Sequence, residues 1–312
     1  MKKLGLTGST GFVGSALLQH LQKHGSQPLT IGHRERPGIH TTIDKLRLAN
    51  IASNHLADCD TIVHLGARVH VMRESHLNPI EVYREVNVAT TIALANMAAV
   101  AGVRRFVFVS SIKVNGEGTL AGHAFTAAET PAPQDPYGVS KMEAEEGLRQ
   151  IARETAMEVV IVRPPLVYGP GVKANFASLM RAVQHGLPLP LASVTENRRS
   201  FVALDNLVDL LITCIDHPAA ANQTFLVGDD EDLSTAELLR RIGQAMHKPA
   251  RLFPVPPSLL QLGANLLGKG AMAQRLLGNL QVDISHTRNT LNWIPPVSVD
   301  EGLRRAVAGL DP

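Results

Sequence analysis

The segment Thr7-Gly8-Ser9-Thr10-Gly11-Phe12-Val13-Gly14 follows a short apolar run at 4–7 and opens a helical pattern. No other feature restricts the fold as much. Gly8 permits a tight turn, Gly11 lets backbone approach a pyrophosphate, and Gly14 allows close packing of the helix on the strand. The helix that follows carries Leu17, Leu18 and Leu21 on one face and ends near Gly25. Its N-terminus offers free N–H groups and the favourable end of the helix dipole to an anion. The context therefore predicts a dinucleotide cradle formed by Gly8, Gly11, Phe12, Val13 and Gly14, over an incidental Gly-rich loop. No Lys-Ser/Thr pair closes the turn, which argues against a nucleotide triphosphatase.

Beyond the turn, short apolar runs alternate with helical patterns. Strands are expected at 4–7, 27–32, 41–43, 61–65, 105–110 and 158–162, with long helices at 81–101 and 136–156. This is an α/β pattern, a Rossmann-type doubly wound parallel sheet covered on both faces. After Arg163 prolines punctuate the chain and the alternation lapses. The boundary is placed at Tyr168, giving a dinucleotide-binding domain at 1–168 and a smaller, mostly α substrate-binding lobe at 169–312. Within that lobe, 201–209 and 223–227 are expected to return to the sheet edge, a return segment near 201–228.

Composition narrows the partners. Thirty Lys and Arg against twenty-eight Asp and Glu leave a charge of +2, which gives no basic face for nucleic acid. Cys59 and Cys214 stand far apart, and none of the thirteen histidines falls at a metal-ligand spacing. No disulfide framework and no metal site are expected, and the cysteine usage fits a reducing compartment. The most apolar late stretch, 259–280, is broken by Lys269, Gln274, Arg275 and four glycines. It reads as one or two amphipathic helices under a lid, not a membrane span. With no leader pattern, the expected location is cytoplasmic.

Tyr137 and Lys141 lie four residues apart on a predicted helix, hence on one face. A free phenol titrates near 10, too high for proton exchange at neutrality, and a nearby ammonium is expected to lower it. Tyr137 then serves as acid or base at a carbonyl or alcohol while a nicotinamide exchanges the hydride. The end of the preceding strand supplies a hydroxyl, Ser110 or Ser111, to stabilise charge on the reacting oxygen. No Gly-x-Ser-x-Gly elbow is present to support a hydrolase. At the end of the second strand stands Gly32, followed by His33 and Arg34. A missing acidic residue and a guanidinium suited to a 2′-phosphate favour NADP(H), with NAD(H) possible through Glu35.

Together, TGSTGFVG, DTIVHLGA, NVATT, VFVSSIKVNGE, YGVSK, RPPLVYGPG and NRRSFVALDNL resemble the nucleotide-sugar epimerase/dehydratase/reductase branch of the extended short-chain dehydrogenase/reductase family. The resemblance covers nearly the whole chain. It implies NAD(P), a UDP- or dTDP-linked sugar, and a homodimer packed through the two long helices. It points to Ser111 as the hydroxyl on the sugar carbonyl, leaving Ser110 bonded to backbone. It also implies that Leu65, Gly66 and Ala67 pass the cofactor and that Asn87 supports the cofactor region. Lys141 reaches the nicotinamide ribose, Pro164 and Val167 flank the nicotinamide, and Asp44 meets the adenine. Asn175, Arg199 and Arg275 match positions near the substrate's diphosphate and nucleoside.

Departures from the family pattern shape the expected reaction. Ile112 and Lys113 replace the acidic pair of dehydratases, and Leu166 replaces an Asn carried by many epimerases. The chain is most similar to reductases of UDP-4-keto-6-deoxy-N-acetylhexosamines in bacterial surface polysaccharide synthesis. The expected activity is thus NAD(P)-dependent reduction of the C4 ketone of a UDP-linked sugar. The alternatives are a 4-epimerase of UDP-glucose or UDP-N-acetylglucosamine with tightly bound NAD, and a non-catalytic NAD(P)-binding regulator. The intact Ser111, Tyr137 and Lys141 argue against the last.

Overall fold

Consecutive residues of a strand point to opposite faces, so a sheet buried on both sides must alternate between two cores. In the computed structural model, which describes residues 3–32, 41–42, 56–68 and 78–310, this alternation is explicit. Val63, Val107, Val160 and Val162 enter one core, while Ile62, Phe106, Phe108, Val159 and Ile161 enter the other. These residues belong to β4 (Cys59–His64), β5 (Arg105–Val109) and β6 (Glu158–Arg163). With β1 (Lys3–Thr7), β2 (Leu29–Gly32), β3 (Thr41–Thr42) and β9 (Thr224–Leu226) they form a seven-stranded sheet, ordered β3-β2-β1-β4-β5-β6-β9. Each pairing is parallel.

The order reverses between β1 and β4, where a doubly wound sheet opens a crevice at the carboxyl ends of its strands. One face is covered by α1 (Phe12–Lys23) and α6 (Leu204–Asp216), through Leu17, Leu207, Leu210 and Leu211. The other face carries α3 (Thr90–Val100) and α4 (Pro136–Glu154), through Leu94, Ala95, Ala98, Ala144 and Leu148. The helix expected at 81–101 is divided: α2 (Pro79–Tyr83) passes through a wide π-helical stretch (Arg84–Ala89) into α3. Gly102, at φ +79°, ends it, with Val103 N–H donating to Ala98 O at 3.0 Å.

Of the segment 201–228, Thr224–Leu226 forms the sheet edge beside β6. Phe201–Ala203 does not. It forms β8, pairs with β7 (Leu166–Tyr168) in a separate small sheet, and leads into α6. A third core gathers Tyr168, Phe176, Met180, Leu239, Ile242 and Leu303 from the later part of the chain. It joins α5 (Ala174–Gln184), α7 (Thr235–Ala245) and α11 (Val299–Ala308). Between α7 and α11 run α8 (Pro257–Leu266), α9 (Gly270–Leu277) and α10 (Ser285–Leu291). Among the described residues, no helix is long and apolar enough to cross a membrane.

Candidate active site

Gly8 takes φ +68°, and its carbonyl accepts the Gly11 N–H at 2.9 Å. A Cβ on Gly14 would stand 2.1 Å from that carbonyl oxygen, so only glycine lets α1 begin this close to β1. Gly11 caps α1 without a side-chain hydrogen bond, and the first turn holds no acidic residue. Phe12 and Val13 start the helix, half-buried. In the same turn Ser9 Oγ is buried with no hydrogen-bond partner in the protein. An uncapped helix N-terminus beside an orphaned hydroxyl suits a pyrophosphate.

The Thr7 hydroxyl accepts the N–H groups of Leu65 and Gly66, both at 3.1 Å, which ties the end of β1 to the end of β4. Leu65, Gly66 and Ala67 are half-buried there. His64 Nδ1 lies 2.6 Å from the same hydroxyl, and its Nε2 lies 2.9 Å from Thr91 Oγ1. Thr91 donates to Asn87 O at 2.7 Å, so its oxygen accepts from His64 Nε2–H, while Nδ1 accepts the Thr7 hydroxyl proton. The partners thus assign His64 as the neutral Nε2–H tautomer.

Asn87 lies buried in the π-helical stretch. Its side chain accepts Arg68 N–H at 2.8 Å and donates to Arg68 O at 3.1 Å and Ser140 Oγ at 3.0 Å. Ser140 donates in turn to Tyr137 O at 2.8 Å. A continuous polar chain therefore runs from the end of β1, beside the glycine turn, to α4. Thr7, His64, Thr91 and Ser140 were absent from the sequence-derived site. Thr7 and His64 carry one local signal, a polar residue closing an otherwise apolar strand; Thr91 and Ser140, on α3 and α4, carry none.

On α4, Asp135 caps the helix by accepting Gly138 N–H at 2.7 Å. Lys113 pairs with both Asp135 and Glu117, fastening the short 3₁₀ turn Ile112–Val114 to the start of α4. Ser111 precedes that turn, and its hydroxyl accepts Lys113 N–H at 3.3 Å and hydrogen-bonds Tyr137. Ser111 and Tyr137 are therefore brought together as expected. The phenol is not lowered, however. Burial raises it well above the ordinary tyrosine range, the Asp135 carboxylate adds to this, and the Ser111 bond offsets only part.

Lys141 does not oppose the shift, which corrects the expected effect of its ammonium. Its Nζ donates to Val109 O at 2.9 Å and lies 4.4 Å from the Phe108 ring centroid. Burial pulls this ammonium down to about 7, against the pull of Glu145. Ser110 also departs from expectation: its hydroxyl donates to the Glu145 carboxylate at 2.6 Å, not to backbone.

Pro164 is buried and its carbonyl accepts Ile112 N–H at 3.0 Å, placing it beside the Ser111 turn; Val167 is half-buried on β7. Arg199 donates to Gly278 O at 3.1 Å. Burial and the charge of Arg275 lower its guanidinium to about 10, with Glu117 pulling the other way, so these three groups share one region. Arg275 is exposed on α9, and Asn175 is exposed on the first turn of α5. Arg34 and Asp44 lie outside the described residues.

Residues 5–228 match the NAD dependent epimerase/dehydratase family. A Vibrio cholerae protein named UDP-glucose 4-epimerase is 48% identical over 308 residues, which cover 97% of this chain and 94% of that protein. The crystal structure of UDP-N-acetylglucosamine 4-epimerase from Bacillus cereus aligns over 100% of both chains, with TM-score 0.81 and 18% identity. UDP-glucuronic acid 4-epimerase from Bacillus cereus, in complex with NAD, aligns over 99% of this chain and 98% of its own, with TM-score 0.76 and 21% identity. At such identities the two structures speak to the fold alone.

Proposed function

The chain belongs to the NAD dependent epimerase/dehydratase family, and from that premise we propose that it is a UDP-sugar 4-epimerase. The observation that carries this reading over C4-ketone reduction is the full-length relative at 48% identity. Leu166, the residue that weighs against epimerisation, is 40% exposed at the start of β7.

In this reading Gly8, Gly11, Phe12, Val13 and Gly14 hold the pyrophosphate, with Ser9 Oγ as a further donor. Leu65, Gly66 and Ala67 line the crevice, Asn87 supports it, and Pro164 and Val167 flank the nicotinamide. NAD, when bound, supplies reversible hydride exchange at the sugar C4. Tyr137 Oη removes the C4 hydroxyl proton and returns it, Ser111 steadies the same oxygen, and Lys141 holds the ribose. The raised phenol keeps its proton at neutrality, so Tyr137 is set as a donor until a cation or substrate shifts it. Lys141, near 7, is divided between charged and neutral forms, so small changes beside it move its charge. Residues 1–168 with 201–228 hold the dinucleotide. The rest of the lobe holds the UDP-sugar through Asn175, Arg199 and Arg275, and α3 and α4 pair in a homodimer.

The test is incubation of purified protein with UDP-galactose or UDP-N-acetylgalactosamine without added dinucleotide. Appearance of the C4 epimer by NMR supports the proposal. Consumption of NADPH with UDP-4-keto-6-deoxy-N-acetylglucosamine, without epimer interconversion, overturns it in favour of the ketoreductase, the activity that Gly32 and Arg34 suggest.

A further inference from the structure

Soluble proteins seldom expose a row of large apolar side chains along one helix. Here α8 buries none of its residues fully. Leu260 packs toward the third core, whereas Leu259, Leu262 and Leu266, spaced three and four apart, face outward at 57%, 56% and 80% exposure. Leu267 and Met272, at 73% and 51%, continue the stripe across the turn into α9. The hairpin is nonetheless firmly held. Ala273 is buried, and Leu276 O accepts Thr235 Oγ1 at 2.5 Å and Asn197 Nδ2 at 3.3 Å.

Charge selects the occupant. Between Glu237 and Asp283 the sequence contains no Asp or Glu. Lys248, Arg251, Lys269 and Arg275 are all exposed, and none takes part in an ion pair among the described residues. Lys269 sits in the α8–α9 turn itself, beside Leu266 and Leu267. An apolar stripe with Lys269 in its turn, on a segment that carries basic but no acidic residues, complements the acyl boundary and headgroups of an anionic bilayer. A second copy would bring the same segment, with its basic residues and no Asp or Glu at 238–282, an unfavourable juxtaposition.

We propose that the α8–α9 hairpin docks the protein on anionic phospholipid membranes. Leu259, Leu262, Leu266 and Leu267 enter the headgroup boundary, and Lys269 pairs with lipid phosphates. The exposed leucine row of α8 spans about 10 Å, so the helix lies in the interface plane and does not cross. Because Gly278, which caps α9, accepts a hydrogen bond from Arg199, docking brings the proposed sugar-binding region close to the membrane surface. The inference does not depend on which sugar reaction occurs.

Vesicle flotation of the purified full chain tests it without substrate. The protein is expected to float with phosphatidylglycerol-containing vesicles and to remain in solution with pure phosphatidylcholine. Leu262→Glu/Leu266→Glu should weaken partitioning by about tenfold or more, and Lys269→Glu by roughly fivefold or more. Lys269 is an exposed turn residue, so its variant keeps the test decisive even where the double variant misfolds. Absence of flotation by the wild type overturns the proposal. So does unchanged flotation of Lys269→Glu, or a concentration-dependent dimer through this face without vesicle affinity.

Discussion

Glu145, one turn beyond Lys141 on α4, holds Arg163 of β6 in a fully buried two-point ion pair, with N···O distances of 2.9 and 2.5 Å. The same carboxylate accepts the Ser110 hydroxyl, and Arg163 extends to Asn115 Oδ1 at 2.9 Å. β6, α4 and the segment after Ser111 are thereby locked at one point. Removing one partner strands a buried charge, so Glu145→Ala should lose roughly 3–5 kcal/mol of stability. A Glu145→Leu/Arg163→Met pair should recover most of it. Urea unfolding of the three proteins measures both, and a Glu145→Ala midpoint equal to wild type would refute the prediction.

Tyr137→Phe removes only the hydroxyl that Ser111 contacts. Turnover should fall by about 10² or more, while thermal unfolding and NAD binding stay close to wild type. Steady-state kinetics with matched calorimetry check this, and retained turnover would take Tyr137 out of the chemistry.

Lys141 titrates near 7 in the fold and near 10.5 when unfolded. Between those values the unfolded chain holds a proton that the folded chain has released, so this group makes stability rise with pH across that window. The gain is absent below pH 7 and complete above 10.5. Relative to Lys141→Met, the wild type should therefore gain at most about 1.4 kcal/mol per pH unit from 7 to 10. Parallel pH profiles of the two urea midpoints would disprove it.

Gly14→Ala would place a methyl 2.1 Å from Gly8 O. The turn must open to admit it, which should cost about 1–3 kcal/mol and weaken NAD binding together. Calorimetric titration with NAD reads the second effect, and unaltered affinity would count against the cradle.

Much of this arrangement was legible before any coordinates. Three glycines at fixed offsets permit few backbone courses, and alternating apolar runs specify a sheet covered on both faces. The four-residue spacing of Tyr137 and Lys141 fixed their common face. It could not specify where a four-carbon amine would point, and Lys141 turned to the Val109 carbonyl. The polar chain that joins Asn87 to His64, Thr91 and Ser140 was hidden for another reason. Its partners lie far apart in sequence, as Thr7 and His64 do, and leave no local period. Phe201–Ala203 reads as a strand on its own, but its partner β7 is as short as it is, so nothing local told which sheet it would join.

The last strand of the large sheet, β9, and the helix α6 that covers α1 both come from residues beyond 200. Until that stretch leaves the ribosome, β6 has an open edge and Leu17 lacks its neighbours on α6. A fragment cut at residue 168 would retain the complete glycine turn and the Tyr-Lys pair, yet expose a parallel edge strand and a leucine-rich helix face. It would aggregate rather than bind a nucleotide, and biosynthesis must shelter the same surfaces until α6 and β9 have emerged.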